Sequence, residues 1–233
     1  TAKIGFLTTA LLASTALVSV TTPASACTAV DAPSYDTCAG PGAWAGDPNI
    51  TLSGNGLHDF FGFHDIGATP GTLTILSGGN LSNPAGGGVF NTGVALTINA
   101  GGALTVDGLD PTGTFGFDTF ASLAGGGTLT VTTPGLPVVG PGVIFGGNNA
   151  STAFSGTVVM PNLNNFLAKV GTGTWTVNGM TMAEGDLRIA GGTLAHTGGT
   201  TNIKSIGLNA TGTMSGGILN ITGTFAGAPP CFS

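Results

Sequence analysis

One short pattern returns along most of this chain and restricts the folds open to it. It appears as "GTLTILSGGNLSN" from Gly71, "VALTINAGGALTVDG" from Val94, "GGTLTVTTPG" from Gly126 and "GTGTWTVNG" from Gly171. It returns as "GDLRIAGGTLAHTGG" from Gly185, "NIKSIGLNATG" from Asn202 and "GGILNITGTFAG" from Gly216. Each copy sets two apolar residues at i and i+2, such as Leu73/Ile75, Leu96/Ile98 and Leu129/Val131, among Thr, Asn or Ser. Successive side chains of a strand point to opposite faces, so one row is buried and the other is wet. Glycines punctuate every copy, as sharp bends require.

Copies return after roughly 20–25 residues, the spacing at which self-similarity signals a solenoid. The steps from Leu73 to Leu96, Leu104 to Leu129 and Leu187 to Leu208 fit that spacing. The pattern predicts an all-β chain folded as a parallel β-helix, with two or three short strands per coil and coils about 4.8 Å apart. An antiparallel sandwich also contains many short strands, but it does not require them to resemble one another. The residues expected in one continuous core are Leu73, Ile75, Leu96, Ile98, Leu104, Val106, Leu129, Val131, Trp175, Val177, Leu187, Ile189, Leu208 and Ile221.

Between Leu167 and Leu194 the repeat becomes specific: "LAKVGTGTWTVNGMTMAEGDLRIAGGTL". This stretch resembles the autotransporter-associated β-strand repeat. Leu167, Lys169, Gly171, Gly173, Trp175, Val177, Gly179, Gly185, Leu187, Ile189, Gly192, Thr193 and Leu194 fall on the positions of that repeat. Trp175 stands where the repeat usually has Leu. The resemblance implies a right-handed β-helical passenger domain, carried to the bacterial cell surface by a C-terminal outer-membrane β-barrel. It implies an adhesin-like or structural role, with host or neighbouring-cell surface glycans or proteins as partners. The barrel is expected in the full-length protein; no set of barrel-length strands follows the repeats here.

The chain start supports export. Lys3 precedes an apolar run from Ile4 to Val20, and "TPASA" places Ala24 and Ala26 at the −3 and −1 positions of a cleavage site. The expected organisation is a signal peptide over 1–26, an N-terminal capping segment over 27–60 and a β-helix over 61–233. In an oxidising compartment Cys27 and Cys38 are expected to pair, leaving Cys231 over. The alternative is lipid on Cys27, since it stands at the cleavage point. "AGAPPCFS" ends the sequence with two prolines, which stop a strand ladder.

Composition excludes some function classes. Only 6% of residues are charged, against about 25% in an ordinary domain, and the net charge is −6 with four Lys plus Arg. Such a surface has no basic patch to neutralise phosphates, so nucleic acid is not an expected partner.

Three sets of residues are candidates for chemistry. His58, Asp59, His64 and Asp65 in "LHDFFGFHDIG" are weak candidates for a metal site, because His with carboxylate is a reasonable ligand set. The neighbouring phenylalanines favour packing instead. A polysaccharide-cleaving β-helix would need paired carboxylates, and Asp107/Asp110 or Glu184/Asp186 are the candidates. Both pairs sit beside Gly or Pro and are expected at bends. His196 is expected in the wall or a loop. No catalytic residue and no cofactor is expected, and the chain is not expected to be an enzyme.

Overall fold

The computed structural model describes residues 26–39, 49–57, 63–65, 71–82, 89–91, 93–106, 117–132, 142–161, 164–223 and 225–226. The chain opens with β1 (Cys27–Ala29) and α1 (Ala32–Ala39). Coils of three strands follow: β2 (Asn49–Leu52), β3 (Asn55–Leu57) and β4 (Phe63–Asp65), then β5 (Gly71–Ile75), β6 (Asn80–Ser82) and β7 (Val89–Asn91). Next come β8 (Val94–Ile98), β9 (Ala103–Val106) and β10 (Phe117–Phe120), then β11 (Ser122–Gly125), β12 (Thr128–Val131) and β13 (Gly142–Phe145). After β14 (Thr152–Phe154), β15 (Thr157–Val159) and β16 (Phe166–Lys169), the pattern tightens into β17 (Thr174–Asn178) and β18 (Thr181–Ile189). The last elements are β19 (Thr193–Gly198), β20 (Thr200–Leu208), β21 (Thr211–Met214), β22 (Ile218–Ile221) and β23 (Phe225–Ala226).

Every third strand stacks on its predecessor, which makes the molecule a parallel β-solenoid. The first sheet runs β1-β2-β5-β8-β11-β14-β17-β19-β21, and all its pairings are parallel. The second runs β3-β6-β9-β12-β15 and reaches the first half of β18, then of β20, and then β22. The third runs β10-β13-β16 to the second halves of β18 and β20, and then β23. β4 pairs with β7 in the same parallel sense.

Register puts like on like. Ile50, Leu73, Leu96 and Leu123 form one inward column of the first sheet, with Leu52, Ile75 and Ile98 beside it. Leu81, Leu104, Leu129, Val158, Met182 and Ile203 form a column of the second. Every expected core residue joins a single hydrophobic cluster, with Leu208 and Ile221 partly buried and the other twelve fully so. The Leu73/Leu96 and Leu104/Leu129 pairings are as expected. Leu187 instead stacks on Ile206, while Leu208 stacks on Ile189.

That correction follows from a change of coil length. Stacked positions Ile50, Leu73 and Leu96 are 23 residues apart, whereas Trp175, Leu194 and Gly212 are 19 and 18 apart. In the later coils β18 and β20 run through the corner between the second and third sheets as single nine-residue strands, so no separate connection is needed.

The solenoid starts under a helix that the strand pattern did not foretell. Asp31 caps α1: the Ser34 N–H donates to its carboxylate at 2.9 Å, and the Ser34 hydroxyl accepts the Asp31 N–H at 3.0 Å. This reciprocal arrangement is a capping box. The hydrogen bonds from Ser34 hold the Asp31 carboxyl below its ordinary pKa. α1 packs against β1, β2 and β3, burying Tyr35 and Cys38 in the core cluster. A disulfide joins Cys27 in β1 to Cys38 in α1, with Cα atoms 5.7 Å apart.

Candidate functional site

The wall of the first sheet is the most regular surface of the molecule. Register aligns Thr28, Thr51, Thr74 and Thr97 in one column, at successive coils. Further along, the same column carries Ala124, Ala153, Thr176, Ala195 and Thr213. None of these residues is buried. A second column two residues earlier includes Asn49, Thr72, Ala95 and Ser122. Its members bond along the stack: the Thr72 hydroxyl donates to Asn49 Oδ1 at 2.9 Å. The sequence folds this way because Thr is β-branched, suits a strand and satisfies itself with water or a neighbour.

This surface is a grid set by strand geometry. Hydroxyls recur about 4.8 Å apart along the stack and about 6.7 Å apart along a strand. It carries no charged residue from Thr28 to Thr97 in either column. The second sheet adds an asparagine pairing, with Asn220 Nδ2 donating to Asn202 Oδ1 at 2.9 Å.

Charged side chains elsewhere are engaged with one another. Glu184 and Asp186 lie in β18 where its register shifts, which is the bend expected for them. Asp186 Oδ2 accepts from Arg188 Nη2 at 3.3 Å, and Glu184 Oε1 stands 3.9 Å from Lys204 Nζ. Arg188 also lies over the Phe166 ring, 4.3 Å from its centroid. Asp107, Asp110, His58 and Asp59 fall outside the described residues. His64 and Asp65 lie in β4, paired with Phe90 and Asn91 of β7. Among the described residues no group of three or more His, Cys, Asp or Glu converges on one point.

Two buried polar residues were not foreseen. Lys169 points inward in a column that otherwise holds Phe120, Phe145, Ile189 and Leu208. It is 1% exposed, and burial lowers its pKa from the ordinary value. His196 is also inward, 2% exposed, where a wall or loop position was expected. Its Nδ1 lies 2.6 Å from the Gly216 carbonyl oxygen, so Nδ1 bears the proton. In the neutral ring Nε2 then accepts from the Thr201 hydroxyl at 3.1 Å. The parity of i and i+2 was the available signal: Lys169 follows Leu167 and His196 follows Leu194, both inward residues.

Compared with family models, curated proteins and solved structures, the chain matches none of them.

Proposed function

We propose that this chain is part of an exported β-helical passenger that adheres to surfaces through the hydroxyl columns of its first sheet. The observation that carries this reading is the Thr28–Thr51–Thr74–Thr97 column, uncharged and outward on consecutive coils. Threonine hydroxyls donate and accept, as do sugar hydroxyls, and repetition multiplies contacts that are individually weak. The fold supports this reading, since a solenoid holds many identical groups on one wall. The resemblance over 167–194 and the export-type start add the bacterial surface as its setting.

The test is binding of the purified protein to immobilised glycans and to cells. Thr51→Val, Thr74→Val and Thr97→Val together keep the β-branched shape and remove three hydroxyls. Binding should fall at least tenfold if each lost hydroxyl removes about 0.5 kcal/mol or more, with the circular dichroism spectrum unchanged. Undiminished binding by the triple variant would sink the reading. Release of oligosaccharides by the native protein would point instead to a glycan-cleaving enzyme.

A further inference from the structure

The two ends of the solenoid are finished differently. α1 and its disulfide cover the first coil. At the other end, β21 is wholly exposed, and Met214 and Ile218 are 55% and 57% exposed. An apolar cavity of about 170 Å³ opens there, lined by Val177, Leu194, His196, Ile206, Gly212 and Met214, among others. Its cause is a missing side chain. The inward column Trp175–Leu194 continues to Gly212, where nothing fills the space.

The ladder is unfinished at the same place. The Thr211 N–H donates back to Gly192 at 3.3 Å and the Ser215 N–H to His196 at 2.9 Å. Alternate residues of a parallel strand serve opposite neighbours, so the amides of Gly212 and Met214 face the free edge. Neither β21 nor β22 carries the Lys, Pro or inward charge that protects edges.

The register of β23 indicates what covers this end. Phe225 pairs with Ile206 and Ala226 with Gly207, an offset of 19. Carried on at that offset, residues 227–233 match 208–214 one for one. The bend Asn209–Ala210 would meet Ala228–Pro229, and β21 would meet 230–233. Pro230 would then be the first residue of an edge strand, where a proline is tolerated and where it blocks further pairing. Cys231 would fall on Gly212.

We propose that residues 227–233 form the closing strand of the solenoid, laying the Cys231 side chain into the cavity above Gly212. A docked tail of the same chain has an effective concentration that a second copy must match by mass action.

The test is Gly212→Cys in the full chain. A Cβ at this position meets only Leu208 Cδ1, at 3.5 Å, so the substitution fits. Adjacent strands hold Cα atoms at a distance a disulfide spans. Mass mapping of non-reduced peptides should find position 212 joined to Cys231 within one chain. Exchange of the Gly212 and Met214 amides in the native protein should be at least about tenfold slower than in Cys231→Asp, which puts a carboxylate in the cavity. A dimer linked from 212 to 212 would overturn the proposal and assign the end to a second copy. Rapid alkylation of Cys231 with no link to 212, and equal exchange in both proteins, would overturn it as well.

Discussion

The Lys169 ammonium stands 3.1 Å from the carbonyl oxygen of Gly191, a residue of the next coil. It also donates to the carbonyls of Val170 at 2.9 Å and Gly171 at 3.3 Å. An ammonium has three N–H donors, and all three are used here. No carboxylate is among these partners, so the group ties one coil to the next through backbone alone. The glycines of the repeat make room for it. Gly192 has φ +70°, and a Cβ there would lie 2.7 Å from Lys169 Nζ and 2.3 Å from the Gly173 carbonyl.

Lys169→Met should therefore destabilise the solenoid although it removes a buried charge. The apolar stem is replaced, but three carbonyls lose their donor. Each unsatisfied buried acceptor costs about 1–3 kcal/mol, offset in part by relief of charge burial. The expected net loss is about 1–3 kcal/mol, read from the urea midpoint at neutral pH. A variant more stable than the native protein would show that the desolvation cost dominates.

Alkaline titration gives a second outcome with a defined sign. Burial lowers the Lys169 pKa below its ordinary 10.5, so between the folded and unfolded values the unfolded chain binds more protons. Stability contributed by this residue then rises with pH across that window, below 10.5. The native protein should gain relative to Lys169→Met as pH climbs through it. A difference between the two proteins that is flat or falling would contradict the direction.

Trp175 shows how much of the core was legible. Its alternation with Thr174 and Thr176 placed it inward, because period two fixes the face. Its neighbours were not legible, because Phe145 and Phe154 come from other strands. The Phe145 ring meets it edge-on at 4.7 Å, and Phe154 lies at 6.3 Å. Lys169 and His196 shared the inward parity of their strands, yet polar residue type argued for the wall. α1 is only eight residues with little amphipathic pattern, and Asp31, Ser34 and Pro33 were its remaining signals. The long connections were counted as part of a loose period, so the later shortening to 19 and 18 residues was missed.

Replacing this ring separates packing from polarity. Trp175→Ala should cost about 3–5 kcal/mol, as for large aromatic truncations in a core. The Trp175 indole N–H is buried without a hydrogen-bond partner. Trp175→Phe removes that donor along with part of the ring, and relief of the unsatisfied group offsets some of the lost packing. It should cost less than about 2 kcal/mol by the same urea measurement. Equal damage from both substitutions would mean that the indole shape itself is required.

The disulfide at the first coil should act locally before it acts globally. It closes a short loop between Cys27 and Cys38, and chain entropy alone assigns such a loop about 2–3 kcal/mol. Tyr35, the only tyrosine in the chain, is fully buried under α1. Its absorbance therefore reports release of the helix separately from unfolding of the coils. In Cys27→Ser/Cys38→Ser, Tyr35 should become solvated at a lower urea concentration than the coils unfold. The strand signal should remain cooperative, because β2, β5 and β8 keep their own ladder. Simultaneous loss of both signals would show that the cap and the coils are one cooperative unit, with the first coil as the point from which the whole solenoid opens.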